Sequence, residues 1–137
     1  MILKGGLILS QTEQQEIREV VDIYLQAIKT GDYKFFKRAF YPDAVVIYAG
    51  ESDLGKKATP IKVFADSVRQ RHDSGMGSEE IPLEVTTSYV GGVANVRLDF
   101  KLKIGEKTLF GTDFLNLVKH DNQWKISQKI YDVTRTE

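Results

Sequence analysis

From Ile17 onward the apolar positions recur with the period of a helix. Ile17, Val20, Val21, Tyr24, Leu25 and Ile28 fall on one face over three turns, which predicts an amphipathic helix packed by that stripe. Upstream, "SQTE" offers two capping boxes, Ser10 with Glu13 or Thr12 with Gln15. Downstream, "KTGD" ends the helix, with Gly31 suited to the left-handed cap position. Asp32 can then cap a second, shorter helix carrying Tyr33, Phe36 and Phe40 on one side. Pro42 in "YPD" stops it, having no amide hydrogen to donate. "AVVIYAG" reads as a short strand closed by Gly50. A third helix is expected from "TPIKVF", with Thr59 as N-cap, Pro60 in the first turn, and Ile61, Phe64, Ala65 and Val68 as its stripe. "RHDSGMGSEEIP" has the polarity and glycine content of a loop.

The second half changes period from 3.6 to 2. Ile81, Leu83, Val85, Thr87 and Tyr89 alternate with polar residues. After the turn "VGG", Ala94, Val96, Leu98, Phe100, Leu102 and Ile104 alternate with Asn95, Arg97, Asp99, Lys101 and Lys103. That is a half-buried antiparallel strand. "GEK" turns the chain into a strand over 109–118. "HDNQ" turns it into a last strand over 124–133. Helices first and a strand meander after them predict an α+β domain, with helices on one face of an antiparallel sheet. A short N-terminal arm, residues 1–10, precedes a single domain over 11–137.

Composition narrows the chemistry. Among 137 residues, 19 Lys and Arg balance 19 Asp and Glu. A phosphate-tracking surface needs excess positive charge, so nucleic acid is not an expected partner. No cysteine is present, which removes disulfides, thiolate metal sites and thiol nucleophiles. The two histidines, His72 and His120, are not at metal-ligand spacing, and no phosphate-binding or dinucleotide motif occurs. Neither a metal nor a cofactor is expected. "MILKGGLILS" is too short and too interrupted for a secretory signal, and no run approaches the roughly 20 apolar residues of a membrane span. The expected location is cytoplasmic.

One position breaks the pattern. Asp113 shares its strand face with Leu109, Leu115 and Leu117. A carboxylate in such a row is costly to ionise without partners. Asp113 could be a protonated donor to a ligand oxygen. It could be an ionised acceptor, beside Tyr24. It could be a structural carboxylate tied to backbone amides, or be turned outward by a bulge.

The residues "VVDIYLQAIKTGD", "FKRAFYPDAVV" and "TDFLNLVKHDNQWKISQKIYD" resemble those of the nuclear transport factor 2-like superfamily. The resemblance runs from about Glu13 to Val133. It implies a cone: a curved antiparallel sheet packed against three helices around an internal pocket. The closing "DxxxL…W-K-I" pair of strands looks most like the subgroup labelled as lumazine-binding proteins. Relative to the ketosteroid isomerases of this superfamily, Tyr24 matches the oxyanion-stabilising tyrosine and Asp113 the protonated aspartate. The position of the general base is Tyr48, so the resemblance does not extend to the base.

The resemblance implies a pocket lined by Tyr24, Leu25, Tyr48, Phe64, Leu98, Phe100, Asp113, Leu115, Trp124 and Gln128. Two functions stay open. One is non-catalytic binding of a cyclic or planar apolar ligand. The other is a cofactor-independent isomerase, cyclase or dehydratase moving a proton on a hydrophobic carbonyl compound, with Tyr24 and Asp113 catalytic. If the strands alternate without interruption, Phe110, Phe114, Val118, Tyr131 and Val133 face away from the pocket. Such an apolar outer face predicts a two-fold homodimer.

Overall fold

The computed structural model describes residues 12–50 and 58–137. The elements run α1 (Glu13–Thr30), α2 (Tyr33–Ala39), β1 (Phe40–Tyr48), β2 (Thr59–Pro60), α3 (Ile61–Asp73), β3 (Ser78–Val90), β4 (Val93–Ile104), β5 (Lys107–His120) and β6 (Gln123–Thr136). The N-terminal arm and Ser10 lie outside the described residues.

The helices begin and end for local reasons. Thr12 caps α1 through the box it forms with Gln15, its side chain accepting from the Gln15 amide. Gly31 closes α1 at φ 68, where a Cβ would also collide with the His72 ring. α2 is shorter than its apolar pattern suggests: it ends at Ala39, and Phe40 already belongs to β1. Pro60, not Thr59, caps α3, because Thr59 and Pro60 pair with Val46 and Val45 as a two-residue strand.

The six strands form one sheet in the order β2-β1-β6-β5-β4-β3. It is mixed rather than antiparallel throughout, since β1 lies parallel to β6. The helices cover its concave face, and the core forms there around Tyr24, Phe40, Leu98, Phe100, Leu115 and Ile126.

Two bulges decide which residues face that core. In β3 the register passes from Pro82 opposite Phe100 to Glu84 opposite Asp99, so Leu83 is an extra residue. In β6 it passes from Ile126 opposite Leu117 to Gln128 opposite Asn116, so Ser127 is extra. Each insertion shifts the period-2 alternation by one and exchanges inner and outer faces along the rest of the strand. Ser78 and Glu80 therefore face inward, Ile81 faces outward and Leu83 is exposed. The segment read as a loop up to Pro82 is strand from Ser78. On β6, Lys129, Tyr131 and Val133 face inward and Gln128, Ile130 and Asp132 outward.

Candidate functional site

α1 carries Tyr24 and Ile28 toward its C-terminal end, and α3 brings Phe64, Val68 and Arg71 alongside. These residues and the inner faces of β1 and β3–β6 enclose a cavity of about 200 Å³. Tyr24, Tyr48, Phe64 and Phe100 are among the residues that line it. Tyr48 stacks on Tyr131 with ring centroids 4.8 Å apart.

At the floor of the cavity four polar side chains form one buried network. The Lys129 ammonium donates to Asp113 Oδ1 at 2.6 Å and to the Tyr24 hydroxyl at 2.7 Å. Tyr24 donates in turn to Glu80 Oε1 at 2.7 Å, with Asp113 Oδ2 a longer alternative at 3.3 Å. Lys129 Nζ also lies 4.1 Å from the Tyr131 ring centroid, within cation–π range. Exposure of all four residues is at most 6%.

The network holds two carboxyl groups against one cation, and their environments push them apart. Burial, and then the charge of Asp113, hold Glu80 well above the usual carboxylate range, with Lys129 opposing. That favours the neutral acid at Glu80, while Asp113 forms the ion pair with Lys129. Burial works against the Lys129 charge, but Asp113 and Glu80 outweigh it, and its ammonium is held above its ordinary value. A lysine held as an ammonium is not a nucleophile, so imine chemistry at Lys129 is not favoured. Burial and the adjacent carboxyls raise Tyr24 well above the usual phenol range, so it remains a hydroxyl donor. Glu80 Oε2 is buried with no hydrogen-bond partner. It belongs to a cavity-lining residue, and an orphaned polar atom there is what a ligand oxygen or nitrogen would satisfy.

The sequence reading missed Glu80, Lys129 and Arg71. Glu80 fell in a stretch rich in polar residues and glycine. Lys129 fell on the outer face of an uninterrupted β6. The hydrophobic pattern carried one hint, since an unbroken β6 would place Asp132 inside and Tyr131 outside.

Other expectations need correction. Asp113 does not line the cavity; it lies behind Lys129 and Tyr24 as the buried counter-ion. Leu98 and Leu115 are fully buried under the helices, and Leu25 packs against the core without reaching the cavity. Trp124 is held at the far end of α1, where its indole N–H donates to Glu13 Oε2 at 2.7 Å. Eleven steps along α1, about 16 Å at 1.5 Å per residue, separate Glu13 from Tyr24. Gln128 belongs to an amide ladder on the outer face, where Asn95 donates to Asn116 and Asn116 to Gln128. Tyr131 and Val133 line the cavity instead of the outer face, both moved inward by the Ser127 bulge. Phe114 and Val118 are partly exposed on that outer face, as expected, and Ile130 is paired with Phe114 in the strand register.

Among the described residues no group of three or more His, Cys, Asp or Glu could hold a metal ion. No helix among them is long and apolar enough to cross a membrane.

Residues 12–132 match the model of the family described as "Putative lumazine-binding". No curated protein matches the chain. Among solved structures, a nuclear transport factor 2-like protein of unknown function from Shewanella baltica is 24% identical, with a TM-score of 0.69 over 92% of this chain and 99% of that one. One of the same description from Methylobacillus flagellatus is 23% identical, with a TM-score of 0.68 over 93% and 96%. A hexachlorocyclohexane dehydrochlorinase is 12% identical, with a TM-score of 0.73 over 90% and 86%. Likeness at these identities extends to the fold, the nuclear transport factor 2-like cone.

Proposed function

The chain belongs to the family described as "Putative lumazine-binding", and from that premise we propose that it binds a small, largely apolar cyclic ligand in the cone cavity without transforming it. The observation that carries this reading is the unpartnered Oε2 of Glu80 beside an otherwise mainly apolar cavity. As a neutral acid, Glu80 has one O–H donor, for which a ligand oxygen would compete with the Asp113 carboxylate. The stacked Tyr48 and Tyr131 rings, with Phe64 and Phe100, supply flat walls for the ligand body. Tyr24 and Asp113 act through the network, holding Lys129 and Glu80 in place, and Asp113 does not touch the ligand.

The test is mass spectrometry of small molecules released from protein equilibrated with a cell extract. Wild type is expected to retain a compound that a cavity-filling Val68→Trp variant, checked for folding, does not. Identical spectra from the two proteins would overturn the reading.

The same groups support proton-transfer catalysis less well. Glu80 could serve as an acid. The base position of the isomerases is Tyr48, however, and Asp113 is bound to Lys129. The dehydrochlorinase among the fold neighbours keeps the question concrete. Deuterium uptake from D2O into 2-tetralone, faster with wild type than with Glu80→Gln, would favour catalysis.

We also propose that the protein is a two-fold homodimer through the outer sheet face around Phe110, Phe114, Ile130 and Val118. Phe114 is 43% exposed and Val118 39%, and the amide ladder beside them gives a self-complementary polar strip.

A further inference from the structure

Arg71 is the cavity residue that the network at the floor does not use. It stands in the last turn of α3 and lines the cavity. Its guanidinium is paired with no carboxylate among the described residues. Arg18, Arg69, Arg97 and Arg135 each have an acidic partner; Arg38 of α2 has none among the described residues but does not line the cavity.

The charge balance of the cavity makes this pairing matter. Lys129 and Asp113 cancel each other as a buried ion pair. Glu80, the one carboxyl lining the cavity among the described residues, is pushed toward its neutral form by burial and by Asp113. Among the described residues Arg71 therefore leaves the cavity with one uncompensated positive charge. That charge acts inside the site: burial raises the Tyr131 phenol, and both Lys129 and Arg71 oppose the rise. A guanidinium beside a mainly apolar cavity offers planar, paired N–H donors, a geometry that matches a carboxylate.

We propose that the ligand of the cone cavity is a small cyclic carboxylic acid, bound as its anion by Arg71, with a second oxygen placed to take a hydrogen bond from Glu80. This rests on the binding reading above and adds the charge of the ligand to it. The two polar groups come from different elements, Arg71 from α3 and Glu80 from β3, and line the cavity together with Tyr48, Phe64, Phe100 and Tyr131. Such a site selects an apolar ring that carries two polar groups. It discriminates against neutral rings by leaving Arg71 unpaired.

Matched pairs of probes test this: 4-hydroxyphenylacetate with 4-hydroxyphenylacetamide, and indole-3-acetate with indole-3-acetamide. Each is titrated into wild type, Arg71→Gln and Arg71→Lys by NMR, following the aromatic resonances of Tyr24, Tyr48 and Tyr131. Arg71 is only partly buried, and the thermal midpoint of each variant verifies its fold. The expected result is that wild type binds at least one acid roughly tenfold more tightly than its amide, as for one charge-assisted pair worth about 1.4 kcal/mol. Arg71→Gln should lose that preference by weakening the acid alone, and Arg71→Lys should keep part of it. Equal binding of acid and amide to wild type, or a preference that survives in Arg71→Gln, overturns the assignment to Arg71 and leaves the pocket standing. If no probe moves the cavity resonances, the binding reading fails and this inference fails with it.

Discussion

Lys129 Nζ lies 2.6 Å from Asp113 Oδ1, with 3% and 0% of their side chains exposed. The pair joins neighbouring strands on the concave face of the sheet: Lys129 sits opposite Leu115, and Asp113 is its diagonal neighbour two residues along β5. Its ionic character explains how a carboxylate can occupy a row of leucines.

Breaking this pair from one side strands a charge. Asp113→Leu and Lys129→Met are each expected to lose about 3–5 kcal/mol of stability. The double variant Asp113→Leu/Lys129→Met should lose much less than the sum, because it buries no charge. Urea unfolding of the four proteins measures the coupling. Additive losses would show that the two groups are not a buried ion pair.

Glu80 gives the fold a pH dependence of definite sign. Its folded-state value lies above the ordinary 4.5, so the folded state holds this proton more tightly than the unfolded chain. The stability it contributes is fully present below 4.5 and is lost as pH rises through the folded value. Glu80→Gln keeps an acceptor for Tyr24 and a donor toward the cavity but cannot ionise. Its unfolding midpoint should stay flatter across this window and match or exceed that of wild type at its upper end. Parallel profiles for the two proteins would refute the shift.

Ser127 tests the bulge. Deleting it removes the extra residue and leaves Gln128 opposite Asn116, Lys129 opposite Leu115 and Tyr131 opposite Asp113, so Lys129 and Tyr131 stay inward. The deletion is expected to keep a cooperative near-ultraviolet circular dichroism transition on unfolding. Ser127→Ala loses only the hydroxyl bond to the Asn116 carbonyl, about 0.5–1.5 kcal/mol. Loss of cooperative unfolding in the deletion variant would show that the bulge itself, and not only the pairing on either side of it, is needed to seat β6.

Gly111 makes room for the core. A Cβ there would overlap the Asp132 carbonyl oxygen and lie 2.8 Å from Phe100 Cζ. Gly111→Ala should therefore destabilise by at least the 1–3 kcal/mol or so typical of overpacking. The clash is with backbone, which yields less readily than a side-chain tip. A thermal midpoint equal to that of wild type would show that β5 and β6 can separate there without cost.

Phe114→Lys tests the outer face. The residue is half-exposed, so the substitution should leave the fold intact and convert a dimer into a monomer in light scattering. A variant of unchanged size, or a monomeric wild type, rules out this interface.

Much of this was legible before any coordinates. The 3.6-residue stripe of α1, the glycine stop at Gly31 and the strict alternation of β4 depend on local conformation and on burial of one face, which sequence periodicity records directly. Asp113 stood out for the same reason, as a carboxylate in an apolar row. The partners of Asp113 did not stand out. A period-2 reading carries parity forward along a strand, and an inserted residue such as Leu83 or Ser127 reverses it without any local signature. Those bulges are fixed by the hydrogen-bond ladders to β4 and β5, which are tertiary pairings. The sequence alone thus determined the elements, their order and the presence of one anomalous acid in the core. Only the tertiary structure decided that Glu80, Lys129 and Arg71 face the same cavity. Their meeting depends on strand register and on the packing of α3 against the sheet, where residues distant in sequence share one desolvated volume.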